Sequence, residues 1–315
     1  MHVLGKADMK DADARTHPRR RTASPRSRHD PVTAMTRSAL LLLADSRFPA
    51  GVHAHSGGLE AAAAAGRVHD APSLHAFLEG RLHTGGLLAA AFAAAACQAD
   101  SAETLAELDH EHDVRLVSPA LRQASRRLGR QLLRAAAAAW PSPRLELLAP
   151  LADGSAAAES AHATSDATAA AADVDGPHHP HIPGSISESA DGPHHPHIPG
   201  SISESAYGPH HPLVLGVVCA AAGLPAEEAA ACAVHGVLTV PAHAAIGLLG
   251  LDPYQVAAVL ARLAPTADRI AARALTLARM AALRNDFGLL PALGAPLLDL
   301  AAEDHATWEV RRYAT

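Results

Sequence analysis

Two long stretches of the chain repeat their apolar residues with the period of an α-helix. In PALRQASRRLGRQLLRAAAAAW the repeating apolar positions are Leu121, Leu128, Leu132 and Ala136, and arginines follow every fourth residue at Arg122, Arg126, Arg130 and Arg134. In DRIAARALTLARMAALRND the apolar positions are Ile270, Ala274, Leu277 and Ala281. Because residues three and four apart share one side of a helix, each stretch predicts a helix with one buried stripe. The first helix also has a basic face.

Capping residues mark where further helices begin and end. The start signals are Ser118–Pro119, Pro225 and Asp252–Pro253, and the stop signals are Gly66, Pro141 and Gly250. Short polar residues and proline are typical of a first helical turn, and glycine is typical of the residue after the last one. Residues 36–149 and 207–315 are therefore predicted to form one all-α domain, a single compact helical bundle.

The amino-acid composition favours helices over strands. Of 315 residues, 49% are hydrophobic and 3% are aromatic, and the apolar residues are mainly Ala and Leu, which prefer helix. The apolar runs are shorter than the roughly 20 residues that a membrane span needs, so we expect no membrane contact. Three isolated cysteines without CxxC spacing predict neither a zinc site nor disulfides, and they fit a reducing cytoplasm.

Two segments lack these helical patterns. Residues 1–35 form a polar, basic arm without the apolar stretch of a secretory signal, and we expect this arm to be disordered. Residues 150–206 are low in complexity and contain the unit DGPHHPHIPGSISESA twice, beginning at residues 175 and 191. Its Pro, Gly and Ser content opposes regular helix, which predicts a disordered His/Pro-rich insert.

The sequence contains no motif of a common catalytic site. HExxH, GxSxG and GxxxxGK[ST] are all absent, so we expect no enzyme activity. In HEHD, His110 and His112 point to different helix faces, which favours a solvated helix end. His53 and His55 stand in a loop before a helix and are weak candidates for metal ligands, since two imidazoles alone make a weak site.

The stretch LLLADSRFPAGVHAHSGGLEAAAAAGRVHD predicts a helix, a Pro-Gly loop and a second helix with Glu60 in its first turn. It resembles the signature of the urease accessory protein UreF family. The matching residues are Pro49, Gly51, Ser56, Gly58, Leu59 and Glu60. Val52 replaces the usual second glycine, and His55 stands where many members have Tyr.

Three further motifs resemble the same family in the same order along the chain. The helix after Ser118 supplies Arg122, Ser125, Gly129 and Arg130, the text PHHPLVLG supplies His211, Pro212 and Gly216, and the tail supplies Pro296, Asp299, His305, Glu309 and Arg311. Arg312, Tyr313 and Thr315 replace the commoner Leu, Phe and Ser. The resemblance covers nearly the whole predicted helical domain.

The resemblance implies a non-enzymatic chaperone that joins a UreD/UreH-type scaffold and a UreG-type GTPase, regulates the GTPase and serves nickel insertion into apo-urease. It also implies a homodimer and no tightly bound cofactor, with transient nickel contact allowed. The expected partner-binding residues are Pro49, Gly51, His55, Ser56, Gly58, Leu59, Glu60, Arg122, Ser125, Gly129, Arg130, Arg311, Arg312 and Tyr313.

Two other classes of function stay open at this point. A helical DNA-binding regulator would use the basic arm and the arginine face, although nucleic-acid binding is not the favoured interpretation. A His-based metal-binding protein would need at least three converging ligands. The tandem insert is interpreted as an expansion of the text before residue 209, and loose nickel buffering by its histidines is the alternative.

Overall fold

The computed structural model of the protein describes residues 31–45, 47–153 and 208–314. Within these ranges the helices are α1 (Pro31–Ala44), α2 (Leu59–Ala64), α3 (Ala71–Arg81), α4 (Leu87–Gln98), α5 (Ala102–Asp113), α6 (Pro119–Ala139), α7 (Pro143–Glu146), α8 (Ala149–Ala152), α9 (His211–Ala221), α10 (Ala226–Leu249), α11 (Pro253–Arg284) and α12 (Pro296–Thr307). A π-helical turn, Leu82–Gly86, joins α3 to α4, and short 3-10 turns lie at Val52–Ala54 and Phe287–Leu289.

The predicted fold class is confirmed, because the described residues form helices and no β-strand. The predicted segment limits differ slightly from the helix ends. Helix α1 begins at Pro31, inside the predicted arm, and α8 runs three residues into the predicted insert. Residues 1–30 and 154–207, with both repeat units, lie outside the described residues.

Helix α4 is the centre of the fold. Its sequence LLAAAFAAAACQ is apolar on every side, which is the pattern of a helix buried all round, and it packs against α9, α10 and α11. At Gly216 in α9, a Cβ atom would overlap the carbonyl oxygen of Ala93. Small residues therefore let the helix backbones approach each other closely.

The predicted caps are present. The Ser118 side chain accepts a hydrogen bond from the Leu121 N–H at 3.2 Å, and that of Asp252 accepts one from the Tyr254 N–H at 3.0 Å. Gly250 ends α10 in the left-handed conformation, with φ of 65°, which glycine adopts at little cost. These helix limits follow from local sequence.

The buried stripes are also largely as predicted. Ile270, Ala274 and Ala281 are buried in α11, and Leu132 and Ala136 are buried in α6. Leu121 and Leu128 are only partly buried, because they face a cavity. Cys97, Cys219 and Cys232 are free and buried, as their apolar surroundings predict.

Helix α10 is the one described helix that is long and apolar enough to cross a membrane. Its 24 residues correct the expectation that the apolar runs are all too short for a membrane span. In the structure α10 packs against α4 and α11, and its buried residues belong to the hydrophobic core. Its apolar character is therefore accounted for by core packing.

Candidate functional site

The four family-like motifs meet at one cavity of about 300 Å³. The cavity lies between the loop before α2, the helices α6 and α10, the start of α9 and the segment that leads into α12. The motif residues on its wall are His55, Ser56, Gly58, Ser125, His211, Pro212, Asp299 and His305. Side chains from opposite ends of the chain thus surround a common space.

The signature loop depends on glycines in the left-handed conformation. Gly51, Gly57 and Gly58 have φ of 78°, 59° and 83°, values that other residues rarely adopt. A Cβ atom at Gly51 would overlap the side chain of Gln131 in α6. The loop is therefore both tightly turned and closely packed against the bundle.

The predicted contact residues of this loop differ in exposure. Pro49 and His53 are exposed, whereas His55, Ser56 and Leu59 are buried. The Ser56 hydroxyl accepts a hydrogen bond from the Glu60 N–H at 3.3 Å. His53 and His55 do not share one environment, and the buried residues can shape a contact surface only by positioning their neighbours.

Glu60 joins the start of α2 to the end of the chain. Its carboxylate accepts hydrogen bonds from the backbone N–H of Arg312 at 2.8 Å and of Tyr313 at 3.0 Å, and it lies 3.0 Å from His305 Nε2. Its side chain is 12% exposed. Burial acts to raise the pKa of Glu60, but the bonds from Arg312, His305 and Tyr313 outweigh it and lower the pKa.

Further bonds fix the rest of the C-terminal tail. The Arg312 guanidinium donates to the Gly247 carbonyl of α10 at 2.6 Å, and the Ala314 N–H donates to the Ala54 carbonyl at 2.7 Å. Arg311 and Arg312 are exposed, while Tyr313 is half-buried. The tail is thus held from both sides and still presents two cations to solvent.

A partly buried ionic network joins α5, α6 and the start of α9. Arg126 donates to Asp109 Oδ2 at 2.9 Å and to Asp113 Oδ1 at 2.7 Å. The His210 N–H donates to Asp109 Oδ1 at 2.9 Å. Burial acts to raise the pKa of Asp113, but hydrogen bonds from His210 and Arg126 hold it well below its ordinary value.

This network corrects two sequence interpretations. HEHD is not a solvated helix end, because His112 is 3% exposed and packs edge-on against Phe92 with ring centroids 4.9 Å apart. Burial, chiefly, lowers its pKa well below the ordinary value. The arginine face is also not continuous, because Arg126 turns inward. The i, i+4 spacing of Asp109 and Asp113 is a local signal of the network, because it places both carboxylates on one side of α5.

The predicted partner-binding residues of α6 pack against residues 208–211, the segment that leads into α9. Ser125 Oγ accepts a hydrogen bond from the His211 N–H at 3.3 Å. A Cβ atom at Gly129 would overlap the carbonyl oxygen of Pro209, and Arg130 packs against Gly208. Arg122 is half-buried, and its Nη1 atom lies 3.9 Å from Oδ2 of Asp113.

The described residues contain no group of three or more His, Cys, Asp or Glu side chains placed to hold a metal ion. The site geometry therefore consists of a cavity, a fastened tail and exposed cations.

Comparisons with known proteins agree with the motifs. The UreF family profile matches residues 68–264. A urease accessory protein UreF of Mycobacterium sp. (strain JLS) is 34% identical over 281 residues, which are 89% of this chain and 99% of the relative. UreF of Mycobacterium tuberculosis (strain H37Rv) is 48% identical over 113 residues, and UreF of Mycobacterium marinum is 51% identical over 106 residues.

The last two matches cover 53% and 49% of those relatives and 36% and 34% of this chain, so the chain matches about half of their length. The fold and the match over nearly the whole chain define an all-α accessory protein. The chain belongs to the UreF family of urease accessory proteins.

Proposed function

We propose that this protein serves nickel insertion into apo-urease in the cytoplasm by bridging a UreD/UreH-type scaffold and a UreG-type GTPase, whose activity it regulates. The observation that supports this proposal is the fastening of the C-terminal tail to Glu60. A tail held by two backbone bonds offers a preformed surface, which lowers the ordering cost of binding.

The scaffold contact is assigned to the apolar face beside that tail. Leu297 and Leu300 of α12 are each 69% exposed, and Val310 of the tail is 89% exposed. Helix α12 packs against α2 and α6, so these side chains stand on a supported helix. Exposed apolar side chains surrounded by a polar rim are typical of a protein interface.

Replacing both Leu297 and Leu300 with Ser tests this contact. Because the two side chains are already exposed, we expect little change in fold stability and at least a tenfold loss of affinity for the scaffold protein. Affinity is measured by calorimetry with purified scaffold, together with urease activation at limiting nickel. Leu41→Ser is the matched control, since Leu41 is 71% exposed on α1. Equal affinity of both variants would contradict the assignment.

The GTPase contact is assigned to the exposed tail cations Arg311 and Arg312. The chain lacks a phosphate-binding GxxxxGK[ST] motif, so nucleotide hydrolysis belongs to a separate protein. Arginine donates several hydrogen bonds from one planar group and is common at interface hot spots. Transient nickel contact is part of the same proposal. Of the two histidines predicted as weak nickel ligands, His53 is exposed and His55 is buried, so His53 is the one that solvent nickel can reach.

The homodimer is assigned to α11, on which Leu283 is 87% and Met280 is 43% exposed. A Leu283→Glu substitution places a charge on this face, and we expect it to shift the protein from dimer to monomer. Light scattering across a concentration series measures the change. A dimer that persists in this variant would place the interface elsewhere.

The alternative functions have less support. The DNA-binding alternative needs a continuous basic face, but Arg126 is engaged with Asp109 and Asp113 inside the fold. The metal-protein alternative needs three converging ligands, and the described part of the chain has no such group. Nickel buffering by the repeat histidines stays a prediction about residues outside the described ranges.

A further inference from the structure

Arg81 brings a cation to the cavity wall without a carboxylate beside it. It is the last residue of α3, and its Nε is shielded from solvent and has no hydrogen-bond partner. No Asp or Glu of the described residues lies within 4.0 Å of its guanidinium. Burial lowers the pKa of Arg81 to about 10, so the side chain still carries its charge at neutral pH.

Two other arginines of the interior, Arg126 and Arg115, have carboxylate partners that balance their charge. Arg126 pairs with Asp109 and Asp113. Arg115, which also lines the cavity, pairs with Glu111 and donates to the carbonyl oxygens of Gly288 and Pro291 at 3.1 and 3.2 Å. Arg81 is partly buried, and the carbon of its guanidinium lies 6.0 Å from the centroid of the Phe77 ring, at the outer limit of a cation–π contact. Unlike Arg126 and Arg115, it has no carboxylate partner among the described residues.

The space beside Arg81 is kept open by two glycines. Positions for a Cβ atom on Gly57 and Gly58 lie 3.7 and 3.9 Å from the Arg81 guanidinium nitrogens. Larger side chains at these positions would fill the space next to the cation. Across the cavity the wall is mainly apolar and includes Leu88, Leu215 and Val240.

We propose that this cavity binds a small organic monocarboxylate. The carboxylate would pair with the planar Arg81 guanidinium, which can donate two parallel hydrogen bonds to it, and the apolar body of the ligand would contact the leucine and valine wall. A volume of about 300 Å³ suits a ligand of this size. This inference does not rest on the partner proteins proposed above.

Calorimetric titration of the full chain tests the proposal with benzoate and butyrate as probes. Benzamide is the neutral probe of nearly equal shape, and nitrate is the planar anion without an apolar body. We expect benzoate and butyrate to bind, and benzamide and nitrate to bind at least tenfold more weakly. Equal binding of benzamide, tighter binding of nitrate, or no binding of either carboxylate would overturn the proposal.

Two variants locate the site. Arg81→Met is expected to lose at least tenfold in benzoate affinity, whereas Arg67→Met, a change of an exposed arginine, retains it. Without ligand, Arg81→Met is expected to melt at the same temperature as the native protein or higher, because a partly buried charge without a carboxylate partner has been replaced by an apolar side chain that can still contact Phe77. Unchanged benzoate binding by folded Arg81→Met would overturn the assignment. The benzoate-to-benzamide ratio of the native protein decides the question if that variant does not fold.

Discussion

Replacing Glu60 with Ala is expected to release the C-terminal tail and to abolish capture of the proposed partners. The substitution removes the acceptor of two backbone N–H groups and the partner of His305. Hydrogen bonds to a charged group contribute more than neutral ones, and loss of this set is expected to cost about 3 kcal/mol of stability. Denaturant unfolding measures that loss, and hydrogen exchange of residues 309–314 measures release of the tail.

The same carboxylate predicts a dependence on pH. The pKa of Glu60 is lower in the folded protein than its ordinary value of 4.5, so the folded state binds fewer protons than the unfolded state. Its stabilisation is therefore complete above that ordinary value and is lost as the pH falls through the folded pKa. Glu60→Gln should remove this part of the acid dependence.

Glu309→Gln is the matched control, because Glu309 is exposed and lies in the same tail. We expect its stability and tail protection to equal those of the native protein. Glu60→Ala could instead retain both the hydrogen-exchange protection of the tail and the binding of the scaffold. The tail would then not be held by Glu60, and the main support for the proposed function would be lost.

Gly129→Ala is expected to destabilise the protein although Ala is the better helix former. Helix propensity alone would favour Ala by about 1 kcal/mol, but the added Cβ would overlap the Pro209 carbonyl oxygen. Backbone atoms cannot move aside as a flexible side chain can, so overpacking of about 3 kcal/mol should exceed the propensity gain. Chemical denaturation measures the net loss.

Gly80→Ala separates these two effects. Gly80 is also helical, is exposed, and has no atom within 4 Å of its Cβ position. We expect this variant to be more stable than the native protein by about 0.5–1 kcal/mol. Should Gly129→Ala be stabilised by as much, the close contact between α6 and the segment before α9 would be absent in solution.

Helix positions could be predicted because their signals are local. The cap at Ser118, the stop at Gly250 and the stripe through Ile270 each involve residues only a few positions apart, and the structure confirms them. The order of the four motifs along the chain also came from the sequence alone. It indicated the UreF family, and the comparisons show that family. The complete site could not be predicted from local sequence signals, because its contacts join residues that are far apart along the chain.

The sequence alone determined that this protein is all-α, where several of its helices begin and end, and which motifs it carries. The tertiary structure decided what those residues do. It placed Glu60 against Arg312 and Tyr313 and turned Arg126 and His112 inward. It also left Arg81 on a cavity wall with no carboxylate of the described residues within 4.0 Å of its guanidinium. The physical reason is that helical periodicity and capping act within a few residues, whereas burial and charge pairing depend on which helices come to lie side by side.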